Sequence, residues 1–249
     1  MWIFALPDNL IKAAVEDSIS SSGKTEIKAT IHGLRKGMFF NVYADSLDLS
    51  IGGTTALRFT DISCRVNPLY LFKKKLVFSV TGKMGSGNIK GFLKFPVFSG
   101  ESDEPEKGNL KIERAEISAI PYLASAGFEG NGLISAELNL NKNFIDATFK
   151  IPDADIHLSS RGLPLLLRSF HKIQGALSLK DNTVYVKSIS LEGDKGYARL
   201  KGNIKNNFMN LALEVMPVKG KLNQIESIFI KRYQTSPGYY IIPIKGPLI

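Results

Sequence analysis

Ile173-Gln-Gly-Ala-Leu-Ser-Leu-Lys-Asp-Asn-Thr-Val-Tyr-Val-Lys-Ser-Ile-Ser-Leu-Glu-Gly-Asp-Lys-Gly-Tyr-Ala-Arg-Leu-Lys-Gly-Asn-Ile204 is the stretch that decides the fold. It divides into a strand, an Asp181-Asn182 turn, a second strand, a turn over Gly193 to Gly196, and a third strand. Leu177, Leu179, Val184 and Val186 recur at every second position, the period of a sheet with one apolar face. Asp-Asn and Gly-rich pairs tolerate the left-handed backbone that tight hairpins need. Turns this short exclude parallel pairing, which requires a long crossover. The stretch therefore predicts a three-stranded antiparallel meander.

The same period extends in both directions. Leu133 to Asn139 and Phe144 to Ile151 precede it, and Phe208 to Val215 follows it. Thr25 to Ile31, Met38 to Tyr43, Ser46 to Ile51, Leu57 to Val66, Lys75 to Lys83 and Ile89 to Phe95 read as strands of the first half. Met84-Gly-Ser-Gly-Asn88 reads as a turn between the last two. A helix is expected near 7–20, where Pro7 suits a first turn and Leu10, Ile11, Ala14, Val15 and Ile19 follow helical spacing. Ile120-Pro-Tyr-Leu-Ala, Leu163 to Lys172 and Leu222 to Ile230 are the candidate positions for short helices. Residues 99–108, acidic and without an apolar side chain, read as an exposed loop. The expectation is a single elongated domain over 1–249, mainly β: an extended, curled antiparallel sheet built as a meander of hairpins, with an N-terminal amphipathic helix and one or two short helices.

One face of that sheet is the candidate site. Ile134, Ala136, Leu138 and Leu140 alternate with polar neighbours, and so do Ile145, Ala147, Phe149 and Ile151; Phe208 to Val215 gives Leu211, Leu213 and Val215. Such a face must be covered, because apolar surface in water costs about 25 cal/mol per Å². Closure of the curled sheet on its own side chains and a trough left open for an acyl chain both satisfy this pattern.

Other chemistry is sparse. The net charge is +9, and from Ile151 onward fourteen Lys/Arg stand against seven Asp/Glu. A basic surface suits nucleic acid, an anionic membrane or an acidic partner, but nucleic acid is disfavoured because no helix-turn-helix, RNP or zinc pattern accompanies the charge. Lys73-Lys-Lys75 follows Leu69-Tyr-Leu-Phe72 and suits phospholipid head groups. Of the three histidines, His32, His157 and His171, only His157 has carboxylates in alternation with it, Asp153 and Asp155, and these read as a solvated face rather than a metal site. Cys64 shares alternation with Ile62 and Val66 and reads as a core residue. There is no G-x-S-x-G elbow, and Gly82 to Gly87 lacks P-loop order. No enzyme chemistry and no cofactor or metal are expected. No run of 18 apolar residues exists; Met1-Trp-Ile-Phe-Ala-Leu6 suits either the trailing edge of a membrane helix or a packed segment.

The chain ends on Ser236-Pro-Gly-Tyr-Tyr-Ile-Ile-Pro-Ile-Lys-Gly-Pro-Leu-Ile249. Tyr239, Tyr240 and Ile242 predict a docking strand, and Pro243 argues for an edge strand or a strand end rather than the middle of a sheet. The rhythm of Ile173 to Ile204 resembles the repeated unit of AsmA-like periplasmic proteins, and Ser236 to Leu248 resembles the C-terminal segment of the type II secretion system protein N (GspN) family. The resemblance implies a periplasmic accessory protein, held to the inner membrane by an N-terminal helix absent from this chain and working through contacts with other envelope proteins of the secretion system. Through the AsmA-like likeness it also implies a phospholipid or acyl chain as partner. Self-association stays open.

Overall fold

The computed structural model describes residues 7–21, 27–38, 40–96, 105–125, 128–142, 144–158 and 169–247. Its contacts divide the chain into two units, Met1–Ser125 and Ala126–Ile249. Both are mainly β, antiparallel and built from successive hairpins, with short helices at their margins.

In the first unit, helix α1 (Asp8–Ser21) precedes β1 (Ile27–His32), β2 (Arg35–Lys36), β3 (Asn41–Ile51) and β4 (Thr54–Val66). A 3-10 turn over Pro68–Lys73 leads to β5 (Lys75–Met84), β6 (Gly87–Pro96), β7 (Lys107–Glu116) and the short helix α2 (Pro121–Ser125). The strands pair in the order β1-β3-β4-β5-β6-β7, with β2 beside β3. Edge strands expose unpaired backbone groups, and α1 answers this at β1. The Ala29 N–H donates to Ser20 Oγ at 3.2 Å and the Ile31 N–H to Glu16 Oε1 at 2.5 Å. Helix side chains thus take the place of a further strand, and the Ala29 and Ile31 side chains are buried.

The second unit holds β8 (Phe128–Asn131), β9 (Leu133–Asn141), β10 (Phe144–Ile151), β11 (Asp155–Leu158), β12 (Ser169–Phe170), β13 (Lys172–Lys180), β14 (Thr183–Gly193), β15 (Gly196–Lys205) and β16 (Phe208–Pro217). Helix α3 (Gln224–Lys231), β17 (Gln234–Ser236) and β18 (Tyr239–Pro247) complete it. Its main sheet runs β9-β10-β13-β14-β15-β16-β18-β17, and β12-β11-β8 form a small separate sheet. The meander expected over Ile173 to Ile204 is β13-β14-β15. Asp181 and Asn182 both have positive φ (48° and 58°), as do Asn206 and Asn207 (50° and 59°) in the next hairpin but one. These are the two-residue turns whose twist matches that of the flanking strands.

The structure departs from expectation in several places. Met38 to Tyr43 and Ser46 to Ile51 belong to one long strand, β3, preceded by a turn. The two expected strands left Ala44 and Asp45 between them, but β3 runs through both, and the exposed Asp45 carboxylate pairs with Arg35 at 2.7 Å. β7, β8 and β11 were not expected. Of the acidic stretch 99–108, residues 99–104 lie outside the described residues, and Lys107-Gly108 opens β7 rather than a loop. The helix expected over Leu163 to Lys172 lies outside the described residues up to 168; Ser169–Phe170 form β12 and Lys172 opens β13. The helices expected near 7–20, near Ile120 and over Leu222 to Ile230 are α1, α2 and α3. Met1 to Leu6 lie outside the described residues.

Candidate functional site

Hairpin register assembles the predicted apolar positions into one face. Leu140, Leu138 and Ala136 on β9 stand opposite Ile145, Ala147 and Phe149 on β10. These, with Ile151, face Leu179, Leu177, Gly175 and Ile173 on β13. The series continues through Val184, Val186, Ile189 and Leu191 on β14, where a bulge between Val186 and Ile189 keeps the apolar side aligned. It then crosses Ile204, Gly202, Leu200 and Ala198 on β15 and Met209, Leu211, Leu213 and Val215 on β16. It ends at Gly246, Ile244, Ile242 and Tyr240 on β18. Ile134 shares the β9 side with Ala136 by alternation. Across seven strands, the Tyr240 hydroxyl is the only side-chain polar group among these positions.

The opposite side of the same strands is charged. Lys187 and Asp146 pair at 2.5 Å, and Glu214 is shared by Arg199 at 2.5 Å and Lys201 at 3.3 Å. Glu214 is held below the usual carboxylate range: burial opposes this, but hydrogen bonds from Arg199 and Lys201 outweigh it. The Tyr197 hydroxyl and Ser190 Oγ lie 2.8 Å apart. Charged side chains are thus confined to one of the two sides.

Burial along the apolar face is graded. At one end Ile151, Ile173, Ala198 and Val215 are buried. The small sheet and α3 lie at this end. The Ala154 N–H donates to the His171 carbonyl and the His171 N–H to the Glu192 carbonyl, while Lys195 in the β14–β15 turn reaches Glu226 of α3 at 2.6 Å. Toward the other end Leu140, Ile145, Val184, Ile204 and Met209 are only partly buried, and Leu179 keeps 39% of its surface. Among the predicted site residues, Leu211 and Leu213 are buried, whereas Ile134, Ala136, Leu138, Leu140, Ile145 and Phe149 remain partly accessible. A face sealed by a second layer of side chains would be buried along its whole length.

Two glycines shape the face. A Cβ at Gly175 would meet the Phe149 ring at 2.4 Å, so this ring lies over the glycine and fills its row. Gly202 has φ 135°, and a Cβ there would stand 2.3 Å from the Asn210 carbonyl oxygen. Gly202→Ala is expected to destabilise by about 1–3 kcal/mol through strain and backbone displacement, read as a lower midpoint in urea unfolding.

The docking strand is present. Tyr239, Tyr240 and Ile242 lie in β18, with Tyr240 opposite Val215 and Ile242 opposite Leu213. The Ile241 N–H points outward to the Tyr233 carbonyl at 3.0 Å. By alternation, Pro243, Lys245 and Pro247 share that outward orientation. The two prolines offer no N–H to a further strand, and the lysine adds charge to the same edge.

Other candidates resolve simply. Among the described residues no group of three or more His, Cys, Asp or Glu is placed to hold a metal ion. Asp155 and His157 lie in β11 opposite Asn131 and Glu129. His171 Nδ1 stands 3.7 Å from Asp194, and His32 lies opposite Ser46. Cys64 sits between Val42 and Val80 in the sheet, half-buried, and burial pushes its thiol up. No described helix is long and apolar enough to cross a membrane. Sequence reading missed Glu226, which is 2% exposed and closes a capping box with Asn223; the Asn223-x-x-Glu226 spacing is its signature. Comparison with protein families, with curated proteins and with solved structures gives no match for this chain.

Proposed function

We propose that the second unit is a non-catalytic lipid-handling module whose apolar sheet face receives acyl chains. The observation that supports this reading is the face itself: seven strands in register, no charged side chain, and partial accessibility toward one end. A surface with Tyr240 as its one hydrogen-bonding side chain discriminates poorly among polar ligands, but it suits an alkyl chain, each methylene of which contributes about 0.8 kcal/mol on burial. Placement in the cell envelope, and a role beside secretion-system proteins, draw their support from the sequence likeness of the β13–β15 hairpins and of the terminal segment.

Titration with a fluorescent fatty acid tests the reading, after delipidation by unfolding and refolding. Saturable binding is expected. Leu138→Trp and Ala147→Trp, a cross-strand pair on the accessible part of the face, should weaken binding about tenfold or more while melting within about 2 °C of the parent. If both variants instead lose about 1–3 kcal/mol of stability each, as overpacked cores do, the face is sealed. Absence of binding by the parent removes the proposal.

A further inference from the structure

A second surface, in the first unit, belongs to a different part of the chain. The β2–β3 connection carries Met38 and Phe40, and the β4–β5 connection carries Leu69, Tyr70 and Phe72. The two connections adjoin: the Val66 N–H donates to the Phe40 carbonyl at 3.1 Å, and Asn41 stands opposite Arg65. Met38 and Leu69 are each 70% exposed and Phe72 is 89% exposed; Phe40 and Tyr70 are exposed as well. A solitary exposed leucine is ordinary, but five large apolar side chains on two adjoining loops form a patch of the kind that marks an interaction surface.

Charge narrows the partner. Beside this end the chain carries Arg65, Lys73, Lys74, Lys75 and Lys94, and no carboxylate falls between Asp61 and Glu101 in the sequence, whereas Lys83 and Lys90 lie at the far end of β5 and β6. Lys75 is engaged by Glu106 at 2.9 Å and Lys83 by Asp61 at 2.9 Å. Lys73 stands 5.8 Å from the Tyr70 ring, and Lys74 turns the chain with φ 53°; both are exposed directly beside Phe72. An apolar knob with a cationic collar matches the interface of an anionic bilayer, where rings and aliphatic side chains enter the acyl boundary and lysines meet phosphates. We propose that this end of the first unit docks onto anionic membranes, inserting Leu69 and Phe72 with Lys73 and Lys74 at the head groups. The proposal stands independently of lipid binding by the second unit.

Co-sedimentation with vesicles tests it. The parent is expected to bind phosphatidylcholine vesicles containing phosphatidylglycerol, to bind pure phosphatidylcholine weakly, and to release as salt rises. Leu69→Ser with Phe72→Ser, and separately Lys73→Glu with Lys74→Glu, should each weaken binding about tenfold or more. Their melting should not change, because these side chains are exposed. Ile228→Ser, at an exposed position of α3, should bind like the parent. Phe72→Trp should show a blue-shifted emission on vesicle addition relative to the parent, which carries Trp2 alone. Equal binding by the serine variant overturns the proposal, as does absence of vesicle binding by the parent. A concentration-dependent dimer that the serine variant loses, without vesicle binding, also overturns it and assigns the patch to a second copy of the chain.

Discussion

Removal of Ser236 to Ile249 is expected to lower the melting temperature by about 10 °C or more, or to drive the protein into aggregates seen by size-exclusion chromatography. β18 pairs with β16 from Phe208↔Pro247 to Val215↔Tyr240, and α3 packs against it. Without β18, the backbone of β16 becomes an open edge. Leu211, Leu213 and Val215, now buried, lose their cross-strand neighbours Ile244, Ile242 and Tyr240. Exposure of three such side chains costs about 1.5–3 kcal/mol each at full exposure, so even half of that is a large share of a domain stability of about 5–15 kcal/mol. The truncated protein also loses Pro243, Lys245 and Pro247, which keep the parent's own edge from recruiting strands. A truncated protein that melts and elutes like the parent would show that the segment has no structural role.

Lys195→Met should destabilise the protein by about 1–3 kcal/mol at neutral pH and change how stability depends on acid. Burial alone would raise the Glu226 carboxyl. The Lys195 ammonium and the Asn223 N–H, at 2.6 and 2.9 Å, outweigh burial and hold the group below the usual carboxylate range. A carboxyl depressed in the folded state contributes stability above its unfolded value and loses it as pH falls through the folded value. The parent therefore loses this contribution only in strong acid. In Lys195→Met the desolvation remains without the ammonium, so Glu226 takes up a proton on folding at mildly acidic pH. The gap in melting temperature between parent and variant should be widest near pH 7 and narrow toward pH 4. A gap that stays constant over that range would show that the Lys195–Glu226 pair carries no net electrostatic stabilisation. Lys195 is 41% exposed, which sets the expected loss below that of a fully buried pair.

Much of the fold was legible because hairpin turns and alternation are local. Asp181-Asn182 and the glycines of the Gly193–Gly196 turn announce strand reversal within a few residues, and the β13–β15 meander follows from them. What failed was non-local or hidden by composition. The gap left at Ala44-Asp45 between two expected strands is bridged in β3, where Arg35, ten residues earlier, pairs with Asp45. β7 was masked by the acidic residues before it, although Leu110 and Ile112 alternate with Lys111 and Glu113. The apolar positions of the candidate face were readable strand by strand. Their alignment across β9 to β18 was not, because it depends on register and on the β14 bulge. The grading of burial along that face, and the exposure of Phe72, depend on which elements pack where, and period-two patterns carry no such information.

The two-residue turns also determine how such a sheet changes in size. Every main strand of the second unit packs chiefly on its two neighbours, and the left-handed pairs at Asp181-Asn182 and Asn206-Asn207 lock each hairpin so that apolar residues keep the same parity from strand to strand. A hairpin is therefore a self-contained module. Duplication of one such pair of strands restores chain direction, preserves parity and requires no new partner elsewhere in the molecule, as in other quasi-one-dimensional arrays. Each added hairpin would widen the apolar face by about 9.5 Å, whereas a single residue inserted within a strand turns every later side chain to the wrong side unless a bulge absorbs it, as one does at Lys187 in β14. The architecture is thus permissive to growth in whole hairpins and intolerant of fractions of one.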